Sequence, residues 1–118
     1  MSNLNRDPAA IWDMVQAIQE IQQFTAEFSE DSFLETLWVQ RVVERDFEIL
    51  GEAARRVSMD FQREHADVDW RNTIALRNVI AHRYEQVDYE ILWDIIQTVL
   101  PNLLEALKTL LADLPEPN

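Results

Sequence analysis

One short segment of the chain combines residue types that could carry chemistry together. The segment 77–84 reads RNVIAHRY and holds two arginines, a histidine and a tyrosine. On an α-helix, residues three, four or seven positions apart share a face, so Asn78 would lie beside His82, and Arg77 beside Tyr84 if the helix continues that far. Arg77 and His82 would border one surface. A fixed cation next to an imidazole suits phosphoryl chemistry, because the cation binds the phosphate while the imidazole transfers a proton.

Each of these residues also has an ordinary structural interpretation. A histidine near a helix end is commonly a cap or a surface residue, and an arginine is commonly a salt-bridge partner. Asn78 could simply be an amide on the helix surface, and Tyr84 could be a phenol that packs over the following turn. The spacing alone therefore leaves catalysis and structure both open.

Two glutamates on the preceding helix could support this segment. Glu48 and Glu52 are one helical turn apart and could orient His82 or Arg77. The simpler interpretation is a set of exposed ion pairs with arginines nearby in the sequence, and we favour it.

Two further groups of residues are weaker candidates. His65, Asp67 and Asp69 are metal-ligand types, but their alternate spacing falls in a predicted turn without a third ligand group, so we expect a solvated loop. The tryptophans could stack on nucleic-acid bases, but they lie on apolar stripes, so we expect them in the core. They are Trp12, Trp38, Trp70 and Trp93.

The composition excludes several classes of site. The 118 residues include no cysteine, which excludes disulfides, thiolate zinc sites and cysteine nucleophiles. The only glycine is Gly51, so glycine-rich phosphate loops are impossible. No apolar run approaches the roughly 18 residues of a membrane span, and the N-terminus lacks the basic and apolar regions of a secretory signal. We therefore expect a cytoplasmic protein with no membrane contact.

The charge is unevenly distributed. There are 22 acidic residues against 10 basic ones, a net charge of −12, which discourages binding to nucleic acid. Between Arg41 and Arg83, however, eight basic residues balance eight acidic ones, so the flanks carry the whole excess. Nine of the ten basic residues are arginines, whose planar donors suit phosphate. A local anion site remains possible, although most of these arginines should pair with acids along helix faces.

Apolar residues recur at helical spacing along almost the whole chain, so the sequence predicts an all-α fold. We expect one domain over 1–118, ordered from about 8 to 112, as a four-to-five-helix up-and-down bundle. The first predicted helix starts at Asp7 and Pro8, and the long second helix covers 33–57 with a cap in 29–32. A short helix and a turn follow within 58–69. The third helix is capped by Asp69 and runs into 81–84, and the fourth starts at about Tyr89.

Two residues inside the predicted helices carry positional information. Gly51 lies within the long second helix, where glycine costs roughly 1 kcal/mol relative to alanine, so a close helix crossing is the expected compensation. Pro101 lies inside the last apolar pattern and should kink that helix without ending it, because the pattern resumes in phase.

The segment 77–84 resembles the Arg-x4-His-x-Tyr motif of HepT-like toxins, which belong to the HEPN superfamily of small helical proteins. The likeness extends to the Gly-Glu-Ala pattern around Gly51, the Asp-Trp-Arg pattern from Asp69, Val87-Asp88 after the motif and Leu100-Pro101 in the last helix. These landmarks follow the family's order over nearly the whole chain. The resemblance implies a HEPN-type bundle.

The resemblance also implies an activity, that of a metal-independent endoribonuclease without a cofactor. In such an enzyme Arg77 would orient the scissile phosphate and stabilise its charge, and His82 would transfer protons. Cleavage through the RNA 2′-hydroxyl needs both a base and an acid, and HEPN proteins are similar in pairing two copies of the motif across a homodimer cleft. Asn78 would support the motif.

A partner is implied as well. HepT-like toxins of type VII-like HEPN/MNT toxin–antitoxin systems are encoded beside a minimal nucleotidyltransferase antitoxin, MntA, which adenylylates the motif tyrosine. Here that residue is Tyr84, and a bulky anionic nucleotide next to Arg77 and His82 would compete with RNA. The implied assembly is a homodimer that could join the antitoxin in a larger hetero-oligomer.

Two other functions stay open. The chain could be a non-catalytic helical module that binds and regulates the nucleotidyltransferase, an interpretation favoured by the acidic surface and by Glu85 directly after the motif. It could also be a dimeric helical scaffold unrelated to toxins, in which neither His82 nor Tyr84 would matter.

Overall fold

The computed structural model describes residues 6–79 and 87–114, and nearly all of them are helical. The α-helices among them are α1 (Arg6–Thr25), α2 (Glu30–Glu35), α3 (Leu37–Arg56), α4 (Met59–Glu64), α5 (Trp70–Ala75), α6 (Tyr89–Thr98) and α7 (Leu100–Ala112). A 3₁₀-helix, Leu76–Val79, continues directly from α5. The all-α prediction is confirmed.

The core lies between the two long helices, α1 and α3, and the helices that cover them. Apolar side chains at helical spacing, such as Ile11 and Ile18 of α1 with Phe47 and Leu50 of α3, are 0% exposed. α7 packs on α1, while α5 and the 3₁₀-helix pack on α3. Burial of these stripes is the main stabilising term of the bundle, because most helical stability in proteins comes from the packing of an apolar face.

Short polar side chains begin several of the helices. Ser29 caps α2 and forms a reciprocal capping box with Ser32. The Asp69 carboxylate accepts from the amide of Asn72 at the start of α5, and Asp88 accepts from the first amides of α6. Each cap satisfies backbone donors that have no partner inside the helix. The predicted caps at 29–32 and at Asp69 are confirmed.

Two predicted helices are divided in the structure. The long second helix is interrupted at Thr36, which adopts an extended conformation between α2 and α3. The last helix ends at Thr98, and Pro101 then occupies the first turn of a separate helix, α7, where its missing N–H costs nothing. The expectation that Pro101 would kink a continuous helix was therefore wrong.

Among the described residues, no single helix has both the length and the apolar composition needed to cross a membrane. α6 and α7 meet that criterion only when taken together, and they are bent by 50° at the break between them.

The tryptophan prediction was wrong for two of the four residues. Trp70 is buried and Trp93 packs against the core, but Trp12 is 45% exposed and Trp38 is 55% exposed. The ring of Trp38 makes edge contacts with Phe24 and with Phe28 at the end of α1. A periodic pattern identifies the apolar side of a helix but not how much of it the neighbours cover.

Two buried carboxyl groups differ in how they are satisfied. Asp7 was expected to cap α1, but it lies inside that helix, where its oxygens accept from the backbone N–H and the hydroxyl of Ser58, both at 2.8 Å. Asp46 of α3 is 2% exposed, and its Oδ2 has no partner within the described part of the chain. Burial, followed by the charge and hydrogen bond of Glu20 on α1, raises the pKa of Asp46 to about 7, against a smaller lowering by Arg45.

Candidate active site

The first residue of the motif, Arg77, lies where the 3₁₀-helix crosses α3 at Gly51. A Cβ atom added at Gly51 would stand 3.1 Å from the Cβ of Arg77, 3.2 Å from the carbonyl oxygen of Ile74 and 3.3 Å from the backbone nitrogen of Arg77. These distances are shorter than ordinary van der Waals contacts, so only glycine allows the two helices to approach this closely. The close crossing predicted for Gly51 is confirmed, and it places the backbone of Arg77 directly against α3.

The next residue of α3, Glu52, holds the side chain of Arg77. Its Oε1 accepts a hydrogen bond from Nη1 of Arg77, and its Oε2 accepts one from Nη2 of Arg55 at 3.2 Å. The predicted ion pair between Glu52 and an arginine nearby in the sequence is present, since Glu52 pairs with Arg55 on its own helix. Glu52 also pairs with Arg77, 25 positions away, which the prediction of local ion pairs did not include. The sequence shows that Gly51 and Glu52 are adjacent, but it does not show which helix these two residues contact.

The electrostatics keep this carboxylate charged. The hydrogen bond from Arg55 is the largest cause that lowers the pKa of Glu52 below its ordinary value, and the charges of Arg55, Arg77 and Arg56 add to it. These arginines therefore favour the charged form of Glu52, which is the form that pairs with Arg77.

Arg77 remains accessible although it is paired. Its side chain is 42% exposed. Arginine carries five N–H donors in a planar fork, so a carboxylate on Nη1 leaves further donors that an anion can reach from solvent.

The motif begins on a different kind of helix from the one expected. Arg77 and Asn78 lie on the 3₁₀-helix, which has about three residues per turn, so the α-helical neighbour rule does not apply to their stretch. Arg77 faces α3, whereas Asn78 is exposed. The sequence predicts His82 as the helical neighbour of Asn78 and Tyr84 as that of Arg77. His82, Tyr84 and the following Glu85 lie outside the described residues.

The chain is fixed on both sides of the motif. Before it, Trp70 is buried and its indole N–H donates to the carbonyl of His65 at 2.9 Å. After it, the hydroxyl of Tyr89 donates to Oε2 of Glu44 at 2.6 Å, which ties the start of α6 to α3. Burial, together with this contact, raises the pKa of Tyr89. The start of α5 and the start of α6 are thereby each fixed to neighbouring parts of the bundle.

The chain's other histidine, His65, packs against an aromatic side chain at the end of α4. Its ring packs on Phe61 with the centroids 4.2 Å apart, and it follows the last residue of α4. Within residues 6–79 and 87–114, no group of three metal-ligating side chains could hold a metal ion.

The surface groove on the α7 side of the 3₁₀-helix is poorly suited to an anion. A groove of about 360 Å³ beside the 3₁₀-helix is lined by Leu76, by α7 and by the carboxylates of Asp67 and Asp69, and Arg77 is not part of its wall. The acidic lining would repel phosphate.

Comparison with known proteins identifies the family of this chain. A family model described as ribonuclease HepT-like matches residues 14–110. The chain belongs to the HepT-like ribonuclease family. This HepT-like chain is 35% identical to a protein of Thermococcus cleftensis named "Probable ribonuclease HepT", over 77% of this chain and 83% of the relative. It is 30% identical to a Methanocaldococcus jannaschii protein named "Putative RNase", over 90% of this chain and 88% of the relative. No solved structure gives a significant match.

Family membership supports a ribonuclease role for the HepT-like chain. The matched range covers α3, the crossing at Gly51 and the whole motif 77–84.

Proposed function

We propose that this protein is an endoribonuclease in which Arg77 and His82 cleave RNA without a metal ion. The observation that carries the proposal is the exposed guanidinium of Arg77, held on α3 by Glu52 at the start of the motif, in a chain of a ribonuclease family. A cation fixed in this way can bind the scissile phosphate with little further ordering.

The proposed reaction requires two proton transfers. A base removes the proton of the 2′-hydroxyl, whose oxygen attacks the adjacent phosphorus, and an acid protonates the 5′-oxygen as the phosphorus–oxygen bond breaks. The products are a 2′,3′-cyclic phosphate and a 5′-hydroxyl. Arg77 binds the non-bridging phosphate oxygens, whose negative charge increases in the transition state, and Asn78 supports the motif.

The need for two proton-transferring groups favours a homodimer. The chain has two histidines, and His65 is packed on Phe61, so His82 is the one suited to the reaction. Two copies of the chain, each contributing Arg77 and His82 to a shared cleft, supply both the base and the acid.

Cleavage of RNA by the unmodified protein in excess chelator, compared with His82→Ala, tests this proposal. Wild type should generate 2′,3′-cyclic phosphate ends, and His82→Ala should lose at least about 100-fold in rate, since general acid–base catalysis contributes that much or more. Cleavage that stops in chelator, or that continues in His82→Ala, would refute the mechanism.

We further propose that the protein is the toxin of a type VII-like toxin–antitoxin pair. A partner minimal nucleotidyltransferase of the MntA type would join the Tyr84 oxygen to the α-phosphorus of ATP, with loss of the hydroxyl proton and release of pyrophosphate. The added phosphate would occupy the Arg77 site in place of RNA. Incubation with ATP and such a partner should increase the intact mass by whole adenylates and stop cleavage. Tyr84→Phe should gain no mass and stay active, and inhibition of that variant would contradict the proposal.

The net charge of −12 favours one other function, a non-catalytic module that binds and regulates the nucleotidyltransferase. That function predicts that wild type and His82→Ala bind the partner equally well and that neither cleaves RNA.

A further inference from the structure

A cluster of arginines lies at the C-terminal end of α3, on a protein that is otherwise strongly acidic. Arg6, Arg55 and Arg56 line a groove of about 390 Å³ together with Val57, Ser58 and Met59. We call Arg6, Arg55 and Arg56 the arginine patch. Their guanidinium groups are exposed: the side chains of Arg55 and Arg56 are 63% and 46% accessible.

Within the described residues, the patch contains more arginines than carboxylates that pair with them. Glu52 pairs with Arg55, and Asp13 pairs with Arg56 at 2.6 Å. Asp7, which also lies nearby, is 1% exposed, and both its oxygens accept from Ser58. Two carboxylates among the described residues, Glu52 and Asp13, thus pair with arginines of the patch or with Arg77, whereas the chain as a whole has more than twice as many acids as bases.

The patch is continuous with the candidate catalytic arginine. Arg55 and Arg77 bind the two oxygens of the same carboxylate, Glu52, so their guanidinium groups are near neighbours. Arg56 follows Arg55 in the chain and lines the same groove as Arg6. A row of cations thus leads from Arg77 over Arg55 to the groove.

The existing ion pairs do not prevent these arginines from binding phosphate. Exposed arginine–carboxylate pairs contribute little net stability, since both partners are well solvated when apart. An arginine can also keep one carboxylate contact while its other donors bind a phosphate oxygen.

We propose that the arginine patch binds the sugar–phosphate backbone of the RNA strand next to the phosphate held by Arg77. The patch extends the substrate site in one direction along the strand and makes contacts that do not depend on base sequence. It also explains how a protein of net charge −12 holds a polyanion, because RNA meets this arginine-rich end of α3 and not the acidic surface. The inference rests on the proposed ribonuclease function.

The test measures binding separately from cleavage. The probe is a fluorescently labelled single-stranded 2′-O-methyl RNA, which lacks the attacking hydroxyl and stays intact. Its affinity for unmodified full-length protein is measured by anisotropy over a range of salt concentrations. Each phosphate contact contributes about 0.7 to the slope of log affinity against log salt for a single strand.

The key variant is Arg56→Ala, because Arg56 belongs to the patch and pairs with Asp13, whereas Arg55 pairs with Glu52. The matched control is Arg41→Ala. Arg41 lies at the other end of α3, is 64% exposed and pairs with Glu44 three residues away, much as Arg55 pairs with Glu52. Arg56→Ala and Arg55→Ala should each reduce the salt slope by about 0.7 and weaken binding severalfold on every sequence tried. Arg56→Lys should restore most of the slope.

Three results would overturn the inference. First, Arg55→Ala and Arg56→Ala could bind the RNA probe as tightly as Arg41→Ala does and with the same salt slope. The RNA strand would then lie elsewhere on the protein, and the proposed ribonuclease function would be unaffected. All three variants could lose affinity equally, which would indicate unspecific attraction to positive charge. Finally, wild type could neither bind the probe nor cleave unmodified RNA, and the proposed function would then fail together with the inference.

Discussion

Replacing Gly51 with alanine tests how closely the packing of α3 controls Arg77. The added methyl group would stand 3.1 Å from the Cβ of Arg77 and 3.2 Å from the carbonyl oxygen of Ile74. Two of its three nearest atoms belong to the backbone of α5 and the 3₁₀-helix, which cannot move aside by a change of rotamer. The 3₁₀-helix must therefore shift by a few tenths of an ångström, and Arg77 shifts with it.

Two opposing effects determine the stability of Gly51→Ala. Alanine gains about 1 kcal/mol over glycine in a helix interior, whereas overpacking a close contact costs about 1–3 kcal/mol. The net loss should be between about 0 and 2 kcal/mol, which lowers the melting temperature by less than about 10 °C for a chain of this length. Activity should suffer more, falling about 10- to 100-fold, because displacing a catalytic group by well under 1 Å already weakens its contact with the transition state.

The assay compares RNA cleavage rates with melting temperatures for Gly51→Ala and the bulkier Gly51→Val. The loss of rate should increase with side-chain size and should persist at 20 °C, where both variants remain folded by circular dichroism. A Gly51→Ala protein that is as active as wild type would refute the claim that this crossing positions Arg77.

Three further outcomes follow from the contacts of α3. Glu52→Gln should lower the turnover number about tenfold with little change in KM, because Arg77 loses the carboxylate that orients it. The control Glu48→Gln removes the same charge one turn away and should leave the turnover number unchanged. A faster Glu52→Gln enzyme would contradict this role and would mean that Glu52 competes with the phosphate for Arg77. Asp46→Asn should stabilise the protein at pH 8 by up to about 4 kcal/mol, since the folded-state pKa near 7 is about three units above the ordinary value of 3.8 and each unit is worth 1.36 kcal/mol. The gain in stability of Asp46→Asn over wild type should shrink as the pH falls from about 7 to 4, because the wild-type carboxyl becomes protonated in the folded state over this range. A gain that does not change with pH would contradict the raised pKa of Asp46. Tyr89→Phe should lower the melting temperature by a few degrees, since it leaves a carboxylate without its donor, and thermal denaturation that is identical to wild type would show that this hydrogen bond is unimportant.

The sequence was informative wherever local chemistry decides the structure. The caps at Ser29 and Asp69 and the close crossing at Gly51 follow from the properties of single residues and their immediate neighbours. The apolar periodicity gave the helical fold for the same reason.

What could not be predicted depends on contacts between distant parts of the chain. The pairing of Glu52 with Arg77 requires knowing that α3 crosses the 3₁₀-helix, and the exposure of Trp38 depends on which helices leave one side of α3 uncovered. The division at Thr36 is similar, because a single residue in an extended conformation interrupts a helix without any proline or glycine to mark the break.

Single-turnover cleavage of RNA by Arg77→Ala in excess chelator shows whether Arg77 belongs to a ribonuclease site. The control is Arg41→Ala, which removes another paired arginine from the same bundle. We expect Arg77→Ala to lose at least about 100-fold in rate while keeping its melting temperature within a few degrees, and Arg41→Ala to cleave as fast as wild type. Equal cleavage by all three proteins would contradict the account and place the site elsewhere.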